Sequence, residues 1–320
     1  MDLKTNLSHV VLTIGVTTLT WIISAGVLQA ALQAATGIAL PPIGPDEVMG
    51  PIGGLLMMTG VLVGLSTWIV HRSQHQGRRL AGQVFGVLFG VTFFMTQIET
   101  LAFNDAVGMP WQVVAYSVVA GLFVCAVVAL MSVRLRRKLG PPPEVATPDP
   151  ASVPLGRGAL VGRFSALAAF YVVVYYLCGY TIAWQFPAVR EFYSGSTELL
   201  SFGAQLSEVL AHDAWLVPFQ LVRGFAWAGI ALLLVVGLPG AGRVERYVLV
   251  GLALSLPLAA VLLVPQGYMP MSVRIGHSGE LLVSNFIFGC AAMGLLRGAA
   301  VRGPGRKGTS VRGPVATVGC

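Results

Sequence analysis

"PWQVVAYSVVAGLFVCAVVALMSV", residues 110–133, runs through 24 positions without one charged side chain. As a helix it would rise ~36 Å at 1.5 Å per residue, enough to cross a hydrocarbon core of ~30 Å. Seven more stretches of similar character, near 9–34, 48–70, 80–103, 159–186, 214–238, 246–268 and 277–297, bring the expected number of spans to eight. Backbone polar groups in lipid must be satisfied within each segment, so helices are the expected form. Short alternating strands of the kind that build a barrel are not visible.

The composition agrees. Of 320 residues, 55% are hydrophobic and 10% charged, and the mean hydropathy is +0.78. A water-soluble domain carries about 25% charged residues, so lipid is the expected partner over much of this surface. The net charge of +7 does not point to nucleic acid, because the basic residues sit at segment ends and form no aromatic-basic platform. Cys125, Cys178, Cys290 and Cys320 are far apart, with no CxxC pair, and read as neither a disulfide framework nor a metal site. The N-terminal apolar run is too long for a signal-peptide core and reads as a retained first span.

Orientation follows from Lys and Arg. With both termini on the cytoplasmic side, only Arg190 and Arg274 fall in outer loops and Arg223 within a span; the other 17 of the 20 basic residues lie inside. Removing one span would reverse this bias in every later loop. The expected setting is a plasma membrane of bacterial type.

The fold expected is therefore all-α, a polytopic bundle of eight transmembrane helices. Residues 1–138 supply the first four, and 139–158, "LGPPPEVATPDPASVPLGRG", form a Pro-rich cytoplasmic linker. Residues 159–298 supply the other four, and 299–320 form a basic Gly/Pro-rich tail. Each half shows a long span, an acidic outer loop, a second span and a basic turn, "HRSQHQGRR" against "PGAGRVER". Two four-span units of one orientation would form a parallel repeat. The outer segment near 196–212 is amphipathic, with Leu199, Phe202 and Leu206 at helical spacing and Thr197 as its expected cap.

Polar groups interrupt the apolar pattern in three places. In "RIGHSGELLVSNFIFG", residues 274–289, Arg274, His277, Glu280, Ser284 and Asn285 fall within an arc of roughly 140° at ~100° per residue. Ile275, Leu282, Val283, Phe286 and Ile287 occupy the opposite side. Thr92, Thr96, Glu99 and Thr100 share one face of the third span; Gln220, Arg223, Gly224, Trp227 and Ala231 share one face of the sixth. Arg223 lies ~13 Å from the outer end of its helix, and an ionised group at mid-membrane costs ~2.5–3.5 kcal/mol on insertion scales. It therefore needs a carboxylate. Glu99 and Glu280 lie at compatible depth, with Gln220, Asn285 or His277 to complete the hydrogen bonds.

Glu99, Gln220, Arg223, Arg274, His277, Glu280 and Asn285 are thus the candidate binding residues of an outward-facing polar pocket. Transport or binding of a small polar or anionic solute is the function this pattern fits. A membrane enzyme using His277 and Glu280 as acid and base, or a sensor whose ion pairs are structural, are the alternatives. No Walker loop, GxSxG elbow, HExxH or paired DxxxD supports an enzyme reading. The topology predicts that, in a chain whose native cysteines are replaced by serine, Ser196→Cys reacts with an impermeant maleimide on intact cells. Ala151→Cys should react only after permeabilisation, and the reverse pattern would invert the orientation.

Overall fold

The computed structural model describes residues 3–138, 156–238 and 242–297; the basic tail and most of the Pro-rich linker lie outside them. All regular structure among these residues is helical. The helices are α1 (Leu3–Thr36), α2 (Pro51–Arg72), α3 (Gly77–Phe89), α4 (Met95–Ala102), α5 (Asn104–Val107) and α6 (Trp111–Lys138) in the first part of the chain. After the linker come α7 (Arg157–Thr181), α8 (Pro187–Ser194), α9 (Phe202–His212), α10 (Leu216–Val235), α11 (Arg243–Leu262) and α12 (Met271–Leu296). A π turn, Gly90–Phe94, joins α3 to α4, so that both belong to one span. Eight helical segments among the described residues are long and apolar enough to cross a membrane, which makes this a multi-pass membrane protein.

Local chemistry explains the boundaries. Pro51 and Pro187 start α2 and α8, where a missing N–H costs nothing. Gly108 and Gly195 end α5 and α8 in the left-handed conformation, with φ of 65° and 69°. The expected seventh span proves shorter and the eighth longer: α11 stops at Leu262 and α12 begins at Met271, six residues early. Arg274 is the reason. Its Nη1 donates to Leu262 O and Val264 O, both at 3.0 Å, and its Nε to Met269 O at 3.0 Å. A cation placed on the last carbonyls of α11 stabilises that terminus, and the turn is held from inside α12.

The outer segment also differs from expectation. Ser201 caps α9, its hydroxyl accepting from Ala204 N at 3.3 Å, whereas Thr197 lies before the helix and offers its carbonyl to Arg190 Nε at 2.8 Å. The preceding residues form a separate short helix, α8, that packs on α12. Its Val189 sits where a side chain on Gly276 would come within 2.9 Å.

The apolar core is continuous across both halves, joining Leu62, Val84 and Val128 with Trp227, Leu254 and Phe288. In the first half α6 packs against α1, α2 and α3, α1 against α2, and α2 against α3. In the second half α12 packs against α7, α10 and α11, α7 against α10, and α10 against α11. Between halves, α2 meets α11, α3 meets α10, and α11 meets both α3 and the π turn. Side chains tie two of these contacts, α3 to α10 and α2 to α11, where α10 ends and α11 begins. Gln83 Nε2 donates to Leu233 O and Leu234 O at 3.2 and 3.3 Å, while Trp68 Nε1 and Arg72 Nε reach Glu245 Oε1 at 2.8 and 2.6 Å.

Most of the polar stripe of α12 turns inward: Arg274, Glu280, Ser284 and Asn285 are buried and His277 half-buried, while on the opposite face Ile275, Leu282, Val283 and Ile287 are exposed and Phe286 is half-buried, its ring near Gly251 of α11. Close approach of α7 to α10 depends on Gly224, where a Cβ would lie 2.7 Å from Ala168 Cα and 2.9 Å from Ala168 O. Because that neighbour is backbone, it cannot rotate away. Gly224→Ala should therefore lower stability by about 1–3 kcal/mol in a detergent melt. Gly229→Ala, one turn on with open space around it, should leave the melting temperature nearly unchanged.

Candidate functional site

Arg223 lies within α10 on a face shared with Gln220, Gly224, Trp227 and Ala231, all buried. Gly224 lets α7 come near enough for the Tyr171 ring to stand beside the guanidinium, 5.7 Å from centroid to Cζ. The Phe219 ring lies at 5.6 Å. These aromatic contacts favour the cation in a dry setting.

The counter-charge comes from α4. Arg223 Nη1 donates to Glu99 Oε1 at 3.2 Å and Nη2 to Glu99 Oε2 at 2.9 Å, a two-toothed arrangement that fixes direction as well as charge. The π turn immediately before α4 has Met95 N on Gly90 O. Its i→i+5 bonding shifts α4 in register relative to α3, and such turns recur at functional positions. Ile230 of α10 fills the space above Gly90, so α10 follows the irregular turn closely.

Gln220 completes the group. Its Oε1 accepts from Arg223 Nη1 at 2.9 Å. Since a guanidinium only donates, the amide oxygen must face it and the Gln220 NH2 must point elsewhere. That Nε2, and Arg223 Nε, are buried without an acceptor. The exposure is lopsided: the Arg223 side chain is 1% exposed and that of Glu99 27%.

His277 and Glu280 stand on the same side. His277 Nδ1 is 3.7 Å from Glu280 Oε2, an ion-pair distance too long for a hydrogen bond. The imidazole meets the Tyr193 ring edge-on at 5.3 Å, and its Nε2 is buried without a partner. Tyr193 comes from α8, is flanked by Phe103 and Trp184, and links the two acidic groups. Burial, with the Glu99 and Glu280 carboxylates beside it, pushes its phenol well above the ordinary range. Tyr171 stands beside the Arg223 guanidinium, and the Tyr175 ring lies 6.5 Å from that of Tyr171.

Glu99, Gln220 and Arg223 are thus joined by hydrogen bonds, with His277 and Glu280 beside them across a set of tyrosines. Of the two candidate acids, Arg223 takes Glu99; Glu280 accepts no hydrogen bond from a described residue. Asn285 is buried deeper in α12, donating to Leu281 O at 3.2 Å with its Oδ1 unmatched. Arg274 stands apart. Fully buried, it pairs with Glu47 of the loop between α1 and α2 and caps α11. Glu47 also lines a cleft of about 610 Å³ together with Asp46, Gln266, Met269 and Ser272. Among the described residues no three His, Cys, Asp or Glu side chains converge as metal ligands would.

Sequence reasoning missed Glu47 and Tyr193. Glu47 carried a usable signal, being an acid in the loop immediately before α2, at the same end of the expected spans as Arg274. Tyr193 carried none, because its place depends on how α8 folds back. Removing one partner of a buried ion pair costs about 3–5 kcal/mol, so Arg274→Gln should lower the melting temperature strongly. Glu280→Gln, which breaks no hydrogen bond among the described residues, should cost less than about 1 kcal/mol. No protein family, curated protein or solved structure matches this chain.

Proposed function

We propose that the protein binds or moves a small polar or anionic solute through an outward-facing pocket. Glu99, Gln220, Arg223, His277 and Glu280 would line it, with Asn285 deeper and Arg274 setting the outer rim. The observation that carries this reading is the lopsided Glu99–Arg223 pair. The cation is sealed, the carboxylate beside it is partly open, and two buried donors next to them have no acceptor. A pair whose only task was to fix helix register would be expected to satisfy its donors as well as its charges.

The proposed setting is a bacterial-type plasma membrane with both termini cytoplasmic, as the Lys and Arg distribution argues. Two parallel four-helix repeats fit the packing. The same five helix pairs touch within each half, and the cross-contacts are reciprocal: second helix on third, third on second, and third on third. That is the pattern a two-fold axis along the membrane normal produces. In proteins built this way the solute site lies where the repeats meet, and Glu99 and Arg223 belong to opposite halves.

The test is chemical access. In a chain without its native cysteines, Thr100→Cys, beside Glu99, should react from the outside with a small impermeant methanethiosulfonate. Val222→Cys, on the exposed opposite face of α10, should be shielded by lipid. If Thr100→Cys stays unreactive while Ser196→Cys reacts, the polar cluster is a closed structural one and the reading falls.

A further inference from the structure

The pocket reading leaves open which solute Arg223 would receive, and the charge balance around it narrows the choice. A guanidinium this deeply buried cannot be left without a negative partner; separating such a pair costs several kcal/mol. Glu99 already occupies the Nη1/Nη2 edge, with one oxygen on each nitrogen. Any anion that reaches Arg223 must therefore either accept a second negative charge beside it or replace the first.

Replacement is the cheaper path. Arg223 is closed in by Tyr171 and Phe219, and the Glu99 side chain is the exposed member of the pair. An incoming group meets the carboxylate before it meets the cation. The place it would take is shaped by a carboxylate, two oxygens held in one plane. Beside it, Gln220 Nε2 and Arg223 Nε are buried donors awaiting an acceptor.

Resting on the pocket reading above, we infer that Glu99 is a resident carboxylate that yields its place on Arg223 to the carboxylate of a small monoanionic solute, taking up one proton as it leaves. The balance is closed: ionised Glu99 paired with Arg223, plus a solute carboxylate and a proton, gives the solute carboxylate paired with Arg223 and a neutral Glu99. Net charge at the site is zero before and after. A dianion or a multiply charged phosphate would leave surplus negative charge in the interior and is disfavoured. The proton is assigned to Glu99 because two carboxylates beside one guanidinium would otherwise leave surplus negative charge in the interior.

The surrounding groups suit the exchange. On α10 the facing charge is Arg223 itself; on α7 and α8 the titratable neighbours are Tyr171, Tyr175 and Tyr193. On α12 they are Glu280 and its partner His277. Tyr116 on α6 is turned away, bonded to Ala25 O, and Asp105 on α5 is exposed. Glu280 is a second carboxylate in the same electrostatic neighbourhood, and it further disfavours any state in which Glu99 and the solute are both ionised.

Acetate is the minimal probe. With the full chain in nanodiscs, calorimetry in two buffers of different ionisation enthalpy should find about one proton taken up per acetate bound. Affinity should then fall about tenfold per pH unit on the alkaline side. In Glu99→Gln, acetate should bind with no proton uptake and lose this pH dependence. Glu99→Ala should melt lower, and acetate should raise its melting temperature more than chloride at equal ionic strength. Proton-free acetate binding by the wild-type chain would overturn the exchange. So would unchanged proton uptake in Glu99→Gln, or tighter binding of sulfate than of acetate. Absence of any acetate binding overturns the monocarboxylate assignment while outside access to Thr100→Cys still stands for the pocket; if Thr100→Cys is unreactive too, both fall. Should Glu99→Gln fail to fold, the wild-type proton count decides alone.

Discussion

A positive charge that cannot leave hydrocarbon must be given a negative one, and the arrangement of the membrane-spanning helices reflects that need twice. Arg223 takes Glu99, and Arg274 takes Glu47. Each pair joins segments far apart in sequence, and each fixes a relation that apolar packing would leave loose. Lipid tails are as apolar as leucine, so helices in a bilayer gain little from burying one another and rely on close contact and polar ties. The two arginines do different work. Arg274 spends its remaining donors on the carbonyls at the end of α11 and is fully committed to the fold. Arg223 retains an unmatched Nε and an unmatched amide beside it.

Close packing makes the second arrangement workable. Gly224 brings α7 against α10, which places Tyr171 against the guanidinium. Along the other face of the second half, Gly251 and Gly289 put α11 and α12 in near backbone contact, a Cβ on Gly289 falling 2.7 Å from Gly251 Cα. Arg223 and Glu280 are thus carried by helices in close contact, α10 on α7 and α12 on α11. Glu99 follows a π turn on the opposite half. The carboxylate thus follows the less regular element and is the more exposed member of the pair.

The span pattern was legible because each segment's apolar length and flanking charges are properties of the segment itself. The inward polar stripe of α12 was legible for the same reason: helical periodicity alone separates Arg274, Glu280 and Asn285 from Ile275, Val283 and Ile287. Arg223 was recognisable as a charge in need of an acid, and Glu99 and Gln220 were among its candidates. What failed involved the ends of elements. Hydropathy places the start of α12 too late because Arg274 looks like a loop residue until it is seen to cap another helix. Thr197 resembles a cap as well as Ser201 does, and only the course of the chain around Arg190 separates them.

By itself, then, the sequence determined that eight helices are long and apolar enough to cross a membrane, which way the polar stripe of the last one turns, and that a buried arginine must find a carboxylate, since these follow from local hydropathy, helical period and the energy of an unpaired charge. Only the tertiary structure decided which acid each arginine takes, that Glu47 and Tyr193 belong to the story, and which donors stay unmatched. Those outcomes depend on distances between side chains separated by more than a hundred residues, or on how an outer segment folds back, and no pattern within one helix encodes them.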